Sequence, residues 1–164
     1  MRAAVADTSP LRYLVLIGAI DILPRLFEKT LAPETVRAEL LHARAPSVVR
    51  LWAEAPPSWL TVMPAPLDQG SDLQTLDAGE RAAIALATAS RPDFVLIDDR
   101  AGVAAARARG LEVTGTLGLL NRAARQGLIE LSTAIAALKS TNFHARQDLL
   151  DVLLAQDRKR RGGA

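Results

Sequence analysis

The run "DFVLIDD" at residues 93–99 is the sequence feature that most constrains the fold. Its apolar residues are continuous and do not alternate with polar ones, which is typical of a β-strand covered on both faces. The run "RAAVAD" at residues 2–7 has the same form and also ends in an acid. Stretches with helical periodicity separate these two runs from other short apolar segments. The alternation predicts an α/β domain with a central, mostly parallel sheet.

The other segments follow the same alternation. Further extended segments are predicted for "TLAP" (30–33), "WLTVMPAP" (59–66) and "LEVTG" (111–115). Helices are predicted over residues 10–18, 19–27, 33–43, 47–55, 76–90, 100–110, 116–127, 131–139 and 145–160. We expect Pro10 and Pro33 at first helical positions, Ser9 and Ser47 as caps, and a bend or end near Pro24.

The chain has the length of a single domain. Its 164 residues are enough to bury most of the apolar surface, and the apolar fraction of 49% excludes disorder for most of the length. Residues 64–70 are predicted to form a surface loop within that domain and not a boundary. We assign residues 1–150 to the domain and 151–164 to the end of a C-terminal helix and a basic tail, with "RKRRGGA" (158–164) predicted to be mobile.

Composition excludes several classes of function. There is no cysteine, so disulfides and thiolate metal sites are impossible. His42 and His144 lie far apart in helical-looking stretches, which argues against a zinc site or a Ser–His–Asp triad. The apolar segment "YLVLIGAIDIL" is too short to span a bilayer and contains Asp21, so we expect no membrane partner and a cytoplasmic location. The net charge of +2 permits a nucleic-acid partner without requiring one.

Acidic residues at the ends of the apolar strands are the strongest indication of a site. Asp7 follows the first strand, and Asp98 and Asp99 follow the strand "FVLI". In a parallel sheet these carboxyl ends face the ligand crevice. Adjacent acids repel one another and need a cation, a hydrogen-bond network or solvent. Asp7 by itself is equally consistent with a turn aspartate that bonds nearby N–H groups.

Two helical glutamates can reach the same edge of the sheet. Glu39 lies beside an apolar helical stripe, where most glutamates are solvated. Glu80 in "DAGE" matches a capping box, with Asp77 as the cap and Glu80 reaching back to it. Taken together with the strand-end acids, they form the oxygen-rich set that Mg²⁺ and Mn²⁺ prefer. Such ions bridge phosphate oxygens and activate water, so the set points to phosphate-ester hydrolysis.

The order of motifs resembles a known family. "VADTSPL", "PETVRAEL", "LDAGERAAIALA", "FVLIDDRAGVAAARARGLEVTGTLGLL" and "GLI" follow one another between Val5 and Ile129 as they do in the PIN domain family. More narrowly, they are similar to VapC-type PIN-like toxins of type II toxin–antitoxin pairs. The resemblance implies a three-layer α/β/α sandwich and an Mg²⁺- or Mn²⁺-dependent endoribonuclease. It also implies an RNA substrate, a cognate antitoxin protein and a homodimer.

The resemblance also implies roles for individual residues. Asp7, Glu39, Glu80 and Asp99 would be the catalytic metal ligands, with Asp98 as an alternative ligand. Many family members have Thr or Ser two residues before the last aspartate, where this chain has Ile97. Either Asp98 or Thr116 replaces that polar contact, or the register of the aspartate pair is shifted by one. The supporting residues implied are Ser9, Thr8 and Thr116.

Arginines near the acidic pair are candidate phosphate contacts. We predict that Arg100 contacts substrate, because phosphate contacts supply most sequence-independent affinity for RNA. Arg107 and Arg109 also lie in this segment, and for both we favour a solvated helix face. The terminal basic run can bind RNA as well, although such tails are common.

Two other classes of function are weighed against the nuclease. A PIN-fold interaction module with weak or no nuclease activity would keep the fold and bind an antitoxin or a second copy. A phosphoacceptor receiver needs a lysine at a late strand end, where none of Lys29, Lys139 and Lys159 lies. A phosphoaspartate hydrolase needs two aspartates after the first strand, and "ADTS" has one. "GTLG" lacks the features of a phosphate-binding glycine loop.

Overall fold

A five-stranded parallel sheet forms the centre of the molecule. The computed structural model describes residues 2–162. Every neighbouring pair of strands is parallel, in the order β3-β2-β1-β4-β5. The strands are β1 (Ala3–Ala6), β2 (Lys29–Pro33), β3 (Leu60–Met63), β4 (Phe94–Leu96) and β5 (Val113–Thr114).

Helices connect the strands and cover the sheet. They are α1 (Thr8–Leu16), α2 (Leu23–Leu26), α3 (Glu34–Leu40), α4 (Ser47–Glu54), α5 (Ala78–Ser90), α6 (Arg100–Ala108), α7 (Thr116–Arg125), α8 (Leu131–Lys139) and α9 (Gln147–Gly162). Short 3₁₀ turns occupy Ile20–Ile22 and Ser71–Leu73. No helix within residues 2–162 is long and apolar enough to cross a membrane.

The two faces of the sheet belong to separate cores. Ala4 and Ala6 of β1 point toward one core with α1 to α4 and α7 to α9, whereas Val5 points toward the other with α5 and α6. Leu96 and Val95 of β4 divide between the cores in the same way. Because side chains alternate along a strand, an apolar run is required wherever both faces are buried. The continuous apolar runs of β1 and β4 are therefore explained by burial on both faces of the sheet, as the sequence predicted. The predicted three-layer α/β/α fold is confirmed.

The strand order creates a crevice between β1 and β4. The chain adds β2 and β3 on one side of β1 and then returns to place β4 on its other side. Ligands of open α/β sheets bind outside the carboxyl ends of the strands at such a reversal point. Ala6 pairs with Leu96, and the N–H of Asp7 donates to the Leu96 carbonyl at 3.0 Å. The residues that follow β1 and β4 are therefore held side by side.

Several local predictions are wrong, each for a local reason. Asp7, not Ser9, is at the N-cap position of α1, so Pro10 is the third helical residue. Pro33 and Pro46 precede α3 and α4 in extended backbone, and Ser47 is helical and forms no cap. Pro24 lies at the start of α2, where its missing N–H needs no partner, so it does not bend or end a helix.

The basic C-terminal segment also differs from the prediction. Helix α9 continues to Gly162, so residues 158–162 are helical and not a tail. Arg160 and Arg161 both pair with Asp157, which is buried, and this holds the last turns together. Residues 163 and 164 of the predicted mobile tail lie outside the described residues.

Candidate metal centre at the carboxyl edge of the sheet

Asp7 occupies a helix cap position without acting as a cap. It lies between β1 and α1 in extended backbone, yet its side chain accepts no capping hydrogen bond. Only 4% of the residue is exposed, and its Oδ1 is buried with no hydrogen-bond partner among residues 2–162. A buried carboxylate oxygen without a partner is costly, and functional sites are where such costs are usually found. The local contact that a turn aspartate makes, here to the Thr8 backbone N–H, therefore leaves one Asp7 oxygen without a partner among residues 2–162.

Burial raises the pKa of Asp7 to about 8. Loss of solvent is the largest cause, and the neighbouring charges of Asp77, Glu80 and Glu39 add to it. The Thr8 backbone N–H opposes the shift in pKa. These causes establish that several carboxyl groups lie within electrostatic range of Asp7.

Glu80 is the second buried acid of the cluster. It lies in the first turn of α5 and is 7% exposed. Desolvation, followed by the charges of Asp77 and Asp99, raises its pKa to about 7. Asp77 caps α5 by accepting the Glu80 N–H at 2.9 Å, and the Asp77 backbone N–H, hydrogen-bonded to the Glu80 carboxyl, opposes the rise in the Glu80 pKa. These are the two contacts of the predicted capping box, and the Glu80 side chain also lines the cleft.

Glu39 is held in place from two sides. It projects from the end of α3 and is half-buried. The Thr8 hydroxyl donates to Glu39 Oε2, and the Gly79 N–H donates to Oε1 at 2.9 Å. The side chain therefore joins α1 to the start of α5. It faces the cleft and is not a solvated helix-face glutamate.

The adjacent aspartates after β4 make different contacts. Asp98 accepts hydrogen bonds from the Ser9 hydroxyl at 2.9 Å and from the N–H and hydroxyl of Thr116, each at 2.7 Å. Asp99 caps α6 through Oδ2, which accepts the Ala101 N–H at 3.1 Å. Its Oδ1 accepts no hydrogen bond within residues 2–162. Asp98 is thus fully engaged with the protein, whereas Asp99 keeps one oxygen available.

These residues line one cleft of about 410 Å³. Thr8, Ser9 and all five predicted acids are part of its wall. Thr116 reaches it only through Asp98. Arg100 begins α6, is exposed and does not line the cleft. Its contact with substrate stays a prediction.

The cleft also contains residues that sequence reasoning missed. They are Arg12, Tyr13, Asp77, Asn142, Phe143 and His144. Arg12 follows Thr8 by four residues on α1, and this spacing alone would have placed it on the same helical face. The last three lie in the loop between α8 and α9. No sequence pattern indicates that this loop lies beside the cleft. His144 is in this loop and not in a helix, as the sequence had suggested.

Arg109 has a structural role away from the cleft. It donates to Asp68, Asp72 and Thr88, with ion-pair distances of 2.5 Å to Asp68 and 2.8 Å to Asp72. The contacts fasten the loop after β3 to α5 and α6. Our preference for a solvated Arg109 is wrong, whereas Arg107 is exposed as expected.

The donor set fits a hard divalent cation in its chemistry. Carboxylate oxygens predominate, one is buried without a partner among residues 2–162, and the pKa values of Asp7 and Glu80 are raised by burial first and by neighbouring negative charge second. A cation would remove each of these costs. In the side-chain arrangement of residues 2–162, no three acidic or histidine groups are yet close enough to enclose an ion. Asp7, Glu80, Glu39 and Asp99 are the residues that would hold one.

Comparison with known proteins identifies one matching family. The DUF3368 family model, described as a PIN domain, matches residues 3–159. The match includes the last helices as well as the motifs quoted above. No curated protein matches the chain.

Proposed function

The chain belongs to the PIN domain family, and from that premise we propose that it is an Mg²⁺- or Mn²⁺-dependent endoribonuclease. PIN domains are generally nucleases and typically bind divalent metal ions. The observation that carries the proposal for this chain is the Asp7 carboxyl, buried at a helix start with an unpartnered oxygen and surrounded by other acids. Coordination of a cation by that oxygen would compensate the cost of burying it without a hydrogen-bond donor.

Each acid has a proposed role in hydrolysis. Asp7, Glu39, Glu80 and Asp99 hold the metal, and Asp98 positions the end of β4 through Ser9 and Thr116. Asp98 would be a ligand only if these hydrogen bonds broke. When bound, the ion supplies an activated water and neutralises charge on the phosphate. The protein contributes the orientation: Thr8 fixes Glu39, and the Gly79 N–H fixes its second oxygen.

A catalytically weak interaction module is the second candidate. It is favoured by the hydrogen bonds that Glu39, Asp98 and Asp99 already accept from protein donors. In such a chain the acids would serve mainly to orient α3, α5 and α6. The nuclease is preferred because the buried Asp7 Oδ1 has no hydrogen-bond donor in the part of the chain that the structure describes.

The biological setting proposed is a type II toxin–antitoxin pair. The resemblance to VapC-type toxins supports this role, a cognate antitoxin and a homodimer. Exposed apolar residues on α4, Val48 and Leu51 at 50% and 65% exposure, offer surface for a protein partner. Light scattering of the purified chain at micromolar concentration tests the dimer, and a monomer would count against it.

Cleavage of RNA by matched variants tests the nuclease. The wild-type chain, Asp7→Asn and Asp21→Asn are compared on structured RNA with Mn²⁺ and with EDTA. Asp21 is an exposed acid away from the cleft, so its variant controls for loss of one charge. We expect cleavage by the wild type and Asp21→Asn with Mn²⁺ only, and a loss of at least a hundredfold in Asp7→Asn. Equal cleavage by all three proteins would assign the activity to a contaminant and favour the interaction module.

A further inference from the structure

One cation in the acidic cleft is not neutralised by the acids. Arg12 lines the cleft together with Asp7, Glu39 and Glu80, yet it forms no ion pair within residues 2–162. Its Nε is buried, and no described residue of the chain forms a hydrogen bond with it. An arginine beside carboxylates that bonds none of them keeps its fork of N–H donors available for another anion.

The position of Arg12 is set by aromatic contacts. Its guanidinium carbon lies 5.7 Å from the centre of the Tyr13 ring, within the range of a cation–π contact. Tyr13 meets the Phe143 ring edge-on, with the ring centres 5.0 Å apart, and its hydroxyl donates to Asn142 Oδ1 at 2.8 Å. These contacts fasten the α8–α9 loop to α1 beside Arg12. We call Arg12, Tyr13, Asn142, Phe143 and His144 the arginine wall.

The wall and the acids share α1. Arg12 lies one helical turn beyond Thr8 and Ser9, about 5–6 Å along the axis. Thr8 and Ser9 bond the acids Glu39 and Asp98 directly. An anion held by Arg12 would therefore lie next to a group held at the acids. A phosphodiester strand supplies two such neighbouring anionic groups, because each of its phosphates is followed by another.

We propose that Arg12, positioned by Tyr13 and the α8–α9 loop, binds the RNA phosphate adjacent to the one held at the acidic cluster. The inference rests on RNA being the substrate, and it adds Arg12 as a phosphate-binding residue beside the predicted Arg100. The fork of Arg12 matches two phosphate oxygens, and its charge offsets the repulsion between the acidic cleft and the strand. Tyr13 is a positioning residue that acts through Arg12.

Binding to a labelled RNA measures this role separately from cleavage. Fluorescence anisotropy of a 5′-fluorescein oligouridine is recorded at several salt concentrations in the Asp7→Asn background. Arg12→Ala, Arg12→Lys, Arg100→Ala and Arg125→Ala are compared, with thermal melting to verify folding. Arg125 is an exposed arginine of α7 that does not line the cleft, so it controls for loss of one positive charge.

We expect Arg12→Ala to weaken binding about tenfold or more, as loss of a charge-assisted hydrogen bond requires. Its salt dependence should fall by roughly 0.7 in log–log slope, the value for one phosphate contact on a single strand. Arg12→Lys should keep the slope and recover part of the affinity, because it keeps the charge but not the fork. If Arg12→Ala does not fold, the test uses Arg12→Lys. This variant should bind RNA more weakly than the parent, with the same dependence of affinity on salt concentration. Arg125→Ala should bind like the parent.

Other outcomes overturn the inference or the proposed function separately. Unchanged affinity and slope in Arg12→Ala, or an effect confined to Arg100→Ala, would overturn the role of Arg12 while leaving the nuclease untouched. Binding through Arg12 without cleavage by the wild type would keep the inference and remove the nuclease. Absence of RNA binding in every variant overturns the inference. If Arg12→Ala abolishes only association with an acidic protein partner, the arginine wall is a protein site and the inference is wrong.

Discussion

The Glu39 carboxyl and the Gly79 N–H are joined by a hydrogen bond of 2.9 Å that ties the end of α3 to the first turn of α5. A Cβ built at Gly79 would collide with both Glu39 oxygens. Gly79 is buried and helical, and alanine there would otherwise favour the helix. The absence of a side chain at residue 79 is thus what lets Glu39 face the cleft.

Replacing Gly79 should have opposite effects in two backgrounds. In the wild type, Gly79→Ala displaces the Glu39 carboxyl, so we expect lower stability and at least tenfold lower Mn²⁺-dependent cleavage. In a Glu39→Ala background the collision is gone, and Gly79→Ala should stabilise the chain, by less than the value of about 0.8–1 kcal/mol for a helix interior, because residue 79 lies in the first turn of α5. Urea denaturation of the four proteins measures the coupling. Equal effects of Gly79→Ala on stability in both backgrounds would show that the Glu39 carboxyl is not the reason why residue 79 is a glycine.

Substitutions of the two aspartates after β4 should have different effects, one on RNA cleavage and the other on stability. Asp99→Asn keeps an oxygen that can cap α6, so stability should change by less than about 0.5 kcal/mol while cleavage falls at least a hundredfold. Asp98→Ala leaves the Thr116 N–H without its acceptor, which should cost about 1–3 kcal/mol. Thermal melting and RNA cleavage of both variants make the comparison. A stable, inactive Asp98→Ala beside an active Asp99→Asn would assign the ligand role to Asp98.

The metal-free chain should lose stability as the pH rises from about 4 to 8. The pKa of Asp7 is raised from its ordinary value of 3.8 to about 8, and that of Glu80 from 4.5 to about 7. In this range the folded chain retains protons that the unfolded chain has lost, so unfolding becomes more favourable with increasing pH. Asp7→Asn should flatten this dependence and gain at least about 1.4 kcal/mol at pH 8, the equivalent of one pKa unit. Denaturation in EDTA at pH 5 and pH 8 provides the check, with Asp21→Asn retaining the wild-type slope.

A divalent cation should oppose this loss of stability at high pH. Because the ion binds the deprotonated acids, Mn²⁺ should stabilise the wild type more at pH 8 than at pH 6. At a hundredfold excess over the dissociation constant the gain is about 2.7 kcal/mol. Differential scanning fluorimetry of the wild type and Asp7→Asn with and without Mn²⁺ gives the result. An identical shift in both proteins would place the cation elsewhere.

Arg109 should affect stability without affecting the cleft. Arg109→Ala removes the ion pairs with Asp68 and Asp72, which are partly exposed and screened by solvent, so a small loss of stability is expected. Hydrogen exchange of residues 64–74 should rise while RNA cleavage stays at the wild-type rate. Arg107→Ala is the matched control, since Arg107 is exposed and forms no ion pair among residues 2–162. Equal exchange in the two variants would show that the loop after β3 is held by other contacts.

The sequence determined the layers of this protein and the approximate position of its acids. Short continuous apolar runs favoured strands buried on both faces, and helical periodicity predicted the helices between them. The carboxyl ends of parallel strands share one edge, so Asp7 and Asp98 could be expected to be neighbours before any coordinates were known. These inferences depend on local periodicity and on one general rule of sheet geometry.

The tertiary structure decided how each side chain is used. That Asp98 accepts hydrogen bonds from Ser9 and Thr116 depends on residues 89 and 18 positions away in the chain, whereas the cap that Asp99 provides for α6 is a local contact. The same is true of the Glu39–Gly79 contact and of the loop that brings His144 to Arg12 and the cleft. Hydrogen bonds act over about 3 Å and follow from how helices pack, which local sequence patterns do not encode.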